Sequence, residues 1–482
     1  MSREQAIAYA TGYFDDGSFR QVLSERVAHR TESQSKNSLP ALQAYLDENL
    51  IPAFEALGFT CRCVANPVPG CGPFLLAERI EDPTALTLLT YGHGDVVHGY
   101  DAQWQAGLAP WRLSVDGDRW YGRGTADNKG QHTINLAALA QVLRARGGKL
   151  GYNVKAIIEM GEEAGSPGLA RMCEINRDAL RADLFIASDG PRVSAARPTL
   201  FMGSRGSANF TLSVELRDGA HHSGNWGGLL RSPGIRLANA LASIVDARGQ
   251  IRVDGLRPPP IPPSVRAALA SLSVGGGSND PTIDPDWGEE SLTPVERVFG
   301  WNSFEVLAFK TGNPESPANA IPGHAYAHCQ LRFVVGSDAA HFLAHLRAHL
   351  DANGFTDVQV SPYTSFMAAT RLDPDDPWVE WGVRSIAATL GVAPALLPNL
   401  GGSLPNDVFA DILGLPTLWV PHSYPACSQH APNEHLLGSV AREGLQIMAG
   451  LFWDLGEAGQ RRPLTNTASQ AAETTRKDSV YR

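Results

Sequence analysis

The sequence lacks long apolar runs and is poor in cysteine. No stretch is long and apolar enough to cross a bilayer, and the first residues lack the continuous apolar core of a secretion signal. Six cysteines in 482 residues are too few for a disulfide framework. These absences exclude the membrane-spanning and disulfide-rich classes, and they predict a cytoplasmic protein.

Positive charge is also scarce. The chain has 40 Lys and Arg against 50 Asp and Glu, a net charge of -10, and no basic cluster stands out. This balance disfavours nucleic-acid and anionic-membrane partners and predicts a small-molecule substrate. The G-x-S-x-G turn of serine hydrolases is absent, and "GRGTADNKG" lacks a third glycine at dinucleotide-binding spacing.

The length of 482 residues exceeds what one hydrophobic core usually supports, so we expect at least two domains. Residues 1–196 alternate short apolar runs with helical patterns, as in a sheet with crossover helices. Residues 197–366 contain helical patterns between strands in which apolar and polar residues alternate, as in strands with one face exposed to solvent. This indicates a smaller α+β layer. The α/β pattern returns over 367–460, and the polar segment 461–482 is predicted to be a flexible tail.

Two local features carry specific expectations. In "SPGLARMCEINRDAL", Ser166 is predicted to cap a helix whose first position is Pro167. The Pro- and Gly-rich stretches 257–265 and 273–286 predict a long irregular loop inside the second domain.

Imidazole and carboxylate side chains follow or flank the predicted buried strands, at the sheet edge where α/β proteins bind ligands. They are His93 and Asp95, Glu162 and Glu163, Asp189, Asp127 and His430. Such ligands suit zinc, and manganese and cobalt accept the same set. Two histidines and at least three carboxylates exceed one tetrahedral site, so the pattern predicts two metal ions with one bridging carboxylate.

The motifs between "TLLTYGHGDVV" and "HAPNEHLL" resemble the zinc-dependent exopeptidases of metallopeptidase family 20, which includes carnosine dipeptidase, aminoacylase and succinyl-diaminopimelate desuccinylase. The resemblance implies an α/β catalytic domain whose mixed, mostly parallel sheet is flanked by helices. It further implies that this domain is interrupted by an inserted α+β lid and dimerisation domain, through which two chains pair as a homodimer.

The resemblance also implies a role for each ligand candidate. His93 and Asp189 would bind one zinc, Glu163 and His430 the other, and Asp127 would bridge them through a turn with a cis Asp127–Asn128 peptide.

The two remaining carboxylates would serve the reaction. Asp95 would orient the His93 imidazole. Glu162 would act as general base, taking a proton from metal-bound water so that hydroxide attacks the amide carbonyl, and would then protonate the leaving amine.

Three segments of the second half resemble the family's substrate-binding motifs. His222 in "DGAHHSGNWGG" would stabilise the oxyanion in the partner's active site. Asn319 and Arg332 would hold the substrate's carboxylate and backbone, and Gly402 and Ser403 would close over its C-terminal end.

The implied reaction is hydrolysis of an amide or peptide bond in a small substrate, such as a dipeptide or an N-acyl amino acid. A carbamoyl-amide hydrolase on the same scaffold is the alternative. An inactive binding paralogue would be expected to lose metal ligands or the general base, whereas this sequence keeps the five ligand candidates and Glu162. His98 is an additional imidazole, which we interpret as a rim residue.

Overall fold

The chain forms two compact units. The computed structural model of the protein describes residues 2–275 and 281–458. Within that part of the chain, the first unit comprises residues 2–203, 372–397 and 405–458, and the second comprises 204–275, 281–371 and 398–404. The assignment of catalytic and lid roles to 1–196, 197–366 and 367–460 stays a prediction. The predicted tail, 461–482, lies outside the described residues.

The first part of the chain alternates helices and strands. Its helices are α1 (Arg3–Asp15), α2 (Ser18–Ala28), α3 (Leu39–Tyr45), α4 (Ile51–Glu55), α5 (Lys129–Ala145) and α6 (Leu169–Ile175). Its strands are β1 (Thr60–Val64), β2 (Phe74–Arg79), β3 (Thr87–His93), β4 (Ser114–Asp116), β5 (Arg119–Tyr121), β6 (Asn153–Glu159), β7 (Leu184–Ala187) and β8 (Thr199–Phe201).

The second unit and the closing segment follow. The second unit contains α7 (Ser223–Trp226), α8 (Pro233–Ile244), α9 (Pro263–Leu269), α10 (Pro294–Phe299), α11 (Phe342–Ala352), β9 (Gly206–Glu215), β10 (His221–His222), β11 (Ser303–Thr311), β12 (Ala320–Ile321), β13 (His324–Phe333), β14 (Val358–Val360) and β15 (Ser365–Met367). The chain then returns to the first unit with α12 (Pro377–Leu390), β16 (Ala395–Leu397), β17 (Thr417–Trp419), β18 (His435–Leu437) and α13 (Gly438–Ala458).

An eight-stranded mixed sheet forms the centre of the first unit, in the order β1-β2-β6-β3-β7-β17-β8-β16. The central neighbours β6, β3, β7 and β17 run parallel to one another. Their side chains are almost all buried, which explains why they appear in the sequence as continuous apolar runs rather than alternating patterns. Helices α1, α5 and α13 pack on one another beside the sheet and share its core.

The register of the sheet brings the carboxyl ends of its central strands together. His93, the last residue of β3, lies opposite Glu159, the last residue of β6. The loops that leave these strands therefore start side by side, at the edge where the sequence places its imidazoles and carboxylates.

The second unit contains an antiparallel sheet in the order β11-β13-β9-β14, with β15 also paired to β9. Buried and more exposed residues alternate along β9 and β13. The apolar face packs against α8 and α11 in a core of its own. This is the one-sided antiparallel layer that the alternation predicts.

Two local expectations are wrong. Helix α6 begins at Leu169, after Gly168 with φ of +82°, and Ser166 itself has φ of +53°. The left-handed backbone at these residues prevents Pro167 from starting the helix, and the Ser166 hydroxyl instead donates to Glu159 Oε2 at 3.2 Å.

The Pro-rich stretch also ends in a helix rather than a loop, because Pro263 opens α9. Proline suits this first helical position, where an N–H has no partner in the helix. The predicted loop includes residues 276–280, which lie outside the described residues. Among the helices that the structure describes, none is both long and apolar enough to cross a membrane.

Candidate metal centre

Six ionisable side chains converge at the carboxyl edge of the sheet in the first unit, and we call them the ligand cluster. They are His93, Asp127, Glu162, Glu163, Asp189 and His430. His93 ends β3, and the other five lie in loops or short turns that border the sheet. Sequence positions separated by more than 300 residues thus meet in one place, as the strand-end pattern predicts.

The Asp127 carboxylate lies between the two imidazoles. Its Oδ1 is 2.9 Å from His93 Nε2, and its Oδ2 is 3.0 Å from His430 Nε2. Each carboxylate oxygen therefore faces a different histidine, the arrangement that a bridging carboxylate requires. The Asp127–Asn128 peptide bond is cis, which confirms that prediction.

Each imidazole has a second carboxylate beside it. Asp189 Oδ2 lies 3.6 Å from His93 Nε2, and Glu163 Oε2 lies 3.0 Å from His430 Nε2. The cluster divides into two halves that share Asp127. One half contains His93 and Asp189, and the other contains His430 and Glu163.

Asp95 lies beneath the cluster and is fully buried. Its backbone oxygen is 3.0 Å and its carboxylate 3.4 Å from His93 Nδ1, so these contacts direct the opposite ring nitrogen towards the cluster. The same carboxylate accepts the backbone N–H groups of Glu162 and Glu163, both at 3.1 Å. Asp95 thereby fixes both His93 and the turn that carries the adjacent glutamates.

Glu162 faces the His93 half of the cluster, with Oε2 3.9 Å from His93 Nε2, whereas Glu163 faces His430. The two neighbours on one turn thus have different partners. This answers why the sequence carries two consecutive glutamates after β6.

The crowding of carboxylates changes their protonation. Burial raises the pKa of Glu163 to about 7 and that of Asp189 to about 6, and the nearby Asp127 charge adds to both shifts. Burial also raises the pKa of Glu162 well above its ordinary value. Hydrogen bonds to Asp127 and Glu163 raise the pKa of His430 to about 11. Several like charges held together in a buried site favour a bound cation.

A divalent metal fits this donor set. His93, Asp127 and Glu163 each offer a ligand atom, and these atoms lie within 4.8 Å of one another. Among the described residues, Asp189 Oδ2 and Glu163 Oε1 are buried without a hydrogen-bond partner. Buried carboxylate oxygens are normally satisfied, so these two unpaired atoms mark places where a cation would complete the structure.

Gln429 and Glu434 contact the site, and the sequence analysis did not predict a role for either. Gln429 donates its amide to Asp127 Oδ2, the oxygen that also faces His430. Glu434 accepts hydrogen bonds from the loop that carries Asp127. Gln429 directly precedes a ligand candidate, and that adjacency was the available signal. The sequence gives no comparable signal for Glu434, whose partners are backbone groups in a distant part of the chain.

In the second unit, Arg332 on β13 lies beside the loop 398–404. Its Nη1 donates to Ser403 Oγ at 2.7 Å, and its Nε donates to Gln330 Oε1 at 3.0 Å. Ser403 in turn donates to the Arg205 backbone oxygen at 2.7 Å, while Gly402 next to it is exposed. Burial lowers the pKa of Arg205 to about 10, with Arg332 adding to the shift. Two neighbouring guanidinium groups form a positive site that suits an anion.

His222 and Asn319 belong to another part of the second unit. His222 lies on β10 and pairs with Ala320 on β12. Asn319 directly precedes Ala320 in the chain. Both His222 and Asn319 are exposed. The Asn319 backbone oxygen accepts the Ser223 N–H at 2.9 Å, and His222 Nδ1 accepts the Gly224 N–H at 3.1 Å. These contacts fix the backbone around both residues and hold the His222 ring through its Nδ1 atom.

The chain matches a known protein family over most of its length. The family model described as "Peptidase family M20/M25/M40" matches residues 89–454. The chain belongs to that family. It is therefore a hydrolase of the metallopeptidase class, and the resemblance read from the motifs is confirmed.

Two named relatives and one solved structure match 80% or more of the chain. The chain is 27% identical to "Beta-Ala-His dipeptidase" of Mus musculus, over 92% of this chain and 94% of the relative. It is 28% identical to "Cysteinylglycine-S-conjugate dipeptidase" of Corynebacterium striatum, over 80% and 84%. The solved structure of human carnosine dipeptidase 1 superposes with a TM-score of 0.72 at 25% identity, covering 94% of this chain and 99% of that one. The predicted fold class, an α/β catalytic domain with a mostly parallel sheet and an inserted domain, is confirmed.

Proposed function

We propose that the protein is a dipeptidase that holds two divalent metal ions, zinc by preference, in the ligand cluster. His93 and Asp189 would hold one ion, His430 and Glu163 the other, and Asp127 would bridge. The observation that carries this proposal is the position of Asp127, whose two oxygens face two different imidazoles at 2.9 and 3.0 Å. Manganese and cobalt accept the same ligands.

Glu162 is the proposed general base, because it is the carboxylate of the cluster without a ligand position of its own. When bound, the metal ions polarise the scissile carbonyl and make water acidic near neutral pH. Glu162 accepts the proton of the attacking water and delivers it to the leaving amine. Asp95 keeps the Glu162 backbone in place through its hydrogen bond at 3.1 Å.

The proposed substrate is a dipeptide with a free C-terminal carboxylate. Relatives that match over most of the chain carry the names "Beta-Ala-His dipeptidase" and "Cys-Gly metallodipeptidase". In the second unit, Arg332 with Ser403 and the neighbouring Arg205 provides the positive site for that carboxylate. We propose that Asn319 contacts the substrate backbone and that Gly402 belongs to the loop over its C-terminal end.

Metal removal should abolish hydrolysis. Without the ions, water keeps its ordinary pKa and the carbonyl is not polarised. Dialysis against a chelator is expected to reduce dipeptide hydrolysis to background, and zinc, manganese or cobalt should restore it. Elemental analysis of the active protein should give two ions per chain. Full activity in a metal-free preparation would contradict the proposal.

The same loaded protein decides between substrate classes. Panels of dipeptides, N-acyl amino acids and N-carbamoyl amino acids are offered at equal concentration, and amine release is measured. We expect dipeptides to give the highest kcat/KM. A preference for the N-carbamoyl compounds would instead select the carbamoyl-amide hydrolase.

Arg332→Ala should weaken recognition of the substrate carboxylate. We expect kcat/KM for a free dipeptide to fall about 10- to 100-fold, the value of a lost charge-assisted hydrogen bond, with a much smaller effect on the C-terminally amidated dipeptide. The matched control is Arg347→Ala on α11, an arginine paired with Asp351 at 2.6 Å in the same unit. Equal losses on both substrates would show that Arg332 does not read the carboxylate.

We propose a homodimer formed through the second unit. Strand β11 is an edge strand, and it exposes Val306, Leu307 and Phe309, whose exposed fractions are 42%, 58% and 41%. An exposed apolar edge strand readily pairs with a second copy of itself.

We further propose a cytoplasmic location, which the six free cysteines of the described chain support.

A further inference from the structure

Glu434 connects the loop that carries Asp127 with the loop that carries His430. It lies four residues after His430, and its side chain is 1% exposed. Its Oε1 accepts the backbone N–H groups of Gly124, Ala126 and Asp127 at 3.1, 2.9 and 3.1 Å. One carboxylate oxygen thus accepts three hydrogen bonds from the loop that ends at Asp127.

The second carboxylate oxygen and the backbone oxygen of Glu434 also accept hydrogen bonds. Its Oε2 accepts a hydrogen bond from Arg123 Nη1 at 2.7 Å, and the Arg123 side chain is 1% exposed. The Glu434 backbone oxygen accepts the Gly122 N–H at 3.0 Å. Residues 122–127 are therefore fixed to Glu434 by five hydrogen bonds, from both its main chain and its side chain.

This arrangement has a consequence for the cluster. The three N–H groups are bound at the start of the turn that aims the Asp127 carboxylate, and Glu434 belongs to the same loop as His430. A change at Glu434 would alter the distance between Asp127 Oδ2 and His430 Nε2, which is 3.0 Å. Outer-sphere hydrogen bonds of this kind set the geometry of metal ligands.

We propose that Glu434, with Arg123, is a positioning residue that sets the separation of Asp127 and His430 and hence the affinity for the metal ion at His430 and Glu163. The inference rests on the proposed function, because it requires the cluster to bind metal. Glu434 touches neither the ions nor the substrate in this proposal. It acts through the backbone of Asp127.

Glu434→Gln is the direct test, because it keeps the size of the side chain. The groups that hydrogen-bond to the Glu434 side chain are all donors, so the new amide NH₂ must face either Arg123 or the backbone N–H groups. Metal-stripped protein is titrated with Zn²⁺ by calorimetry, and with Co²⁺ by its visible absorption. We expect one of the two Kd values, that of the ion at His430 and Glu163, to rise about 10- to 100-fold and the Co²⁺ spectrum of that site to change.

Asp454→Asn is the matched control. Asp454 is a partly buried carboxylate in the same unit that accepts hydrogen bonds from Arg3 and Ser385, and none of these three contacts the cluster. This variant should lose thermal stability but keep both Kd values and the Co²⁺ spectrum. The comparison separates a general loss of stability from a specific loss of metal geometry.

Glu434→Asp extends the test if Glu434→Gln does not fold. It keeps the charge but shortens the side chain by one methylene, and a smaller rise of the same Kd is expected. A wild-type Kd and spectrum in a folded Glu434 variant would overturn the inference. Wild-type protein that takes up no metal would overturn the proposed function itself, which is a different result.

Discussion

Glu162→Gln is expected to lower kcat by about 10²- to 10⁴-fold, the usual contribution of a positioned general base. An amide of the same size cannot accept a proton from water. Because Glu162 has no ligand position in the proposed centre, the variant should still bind two metal ions with unchanged affinity. Its signature is therefore a dead enzyme with a full metal site.

The neighbouring residue gives the matched comparison. Glu163 Oε2 lies 3.0 Å from His430 Nε2, so Glu163→Gln should lose one ion as well as activity. Metal content by elemental analysis and kcat by steady-state kinetics are measured on both variants. If Glu162→Gln loses the ion and Glu163→Gln keeps it, the roles of the two glutamates are reversed.

The central sheet could be predicted from the sequence because its strands are buried on both faces. Continuous apolar runs mark β3, β6 and β7. Helix α6 was placed too early, since its start depends on the left-handed backbone at Ser166 and Gly168. In that conformation the Ser166 hydroxyl donates to Glu159, a contact that helix-start patterns do not encode.

The cluster itself was also readable, because ligand candidates follow strand ends and parallel strands align those ends. The sequence therefore singled out all six members, and the structure brings them together within one unit. The sequence did not reveal the hydrogen bonds that hold these six residues in place. Glu434 contacts backbone N–H groups more than 300 positions earlier in the chain, and backbone donors carry no residue signature.

A second line of argument for the proposed homodimer concerns His222. This residue lies on the short strand β10 of the second unit, is exposed, and has its backbone fixed by the pairing with β12. The family resemblance implies that the matching histidine enters the partner's active site and stabilises the oxyanion on the attacked carbonyl. Removal of such a donor costs about 10²- to 10³-fold in kcat. His222→Ala should show this loss with both metals still bound.

Complementation between two inactive variants tests whether the active site is shared. His222→Ala protein keeps Glu162, and Glu162→Gln protein keeps His222, so a mixed dimer contains one site spoiled twice and one intact site. Random exchange of equal amounts should restore about one quarter of wild-type activity, because half of the dimers are mixed and each has one working site. Exchange is verified independently with differently tagged chains. If the tags co-purify and the mixture stays inactive, His222 does not serve the partner chain, and its effect on kcat must arise within its own subunit.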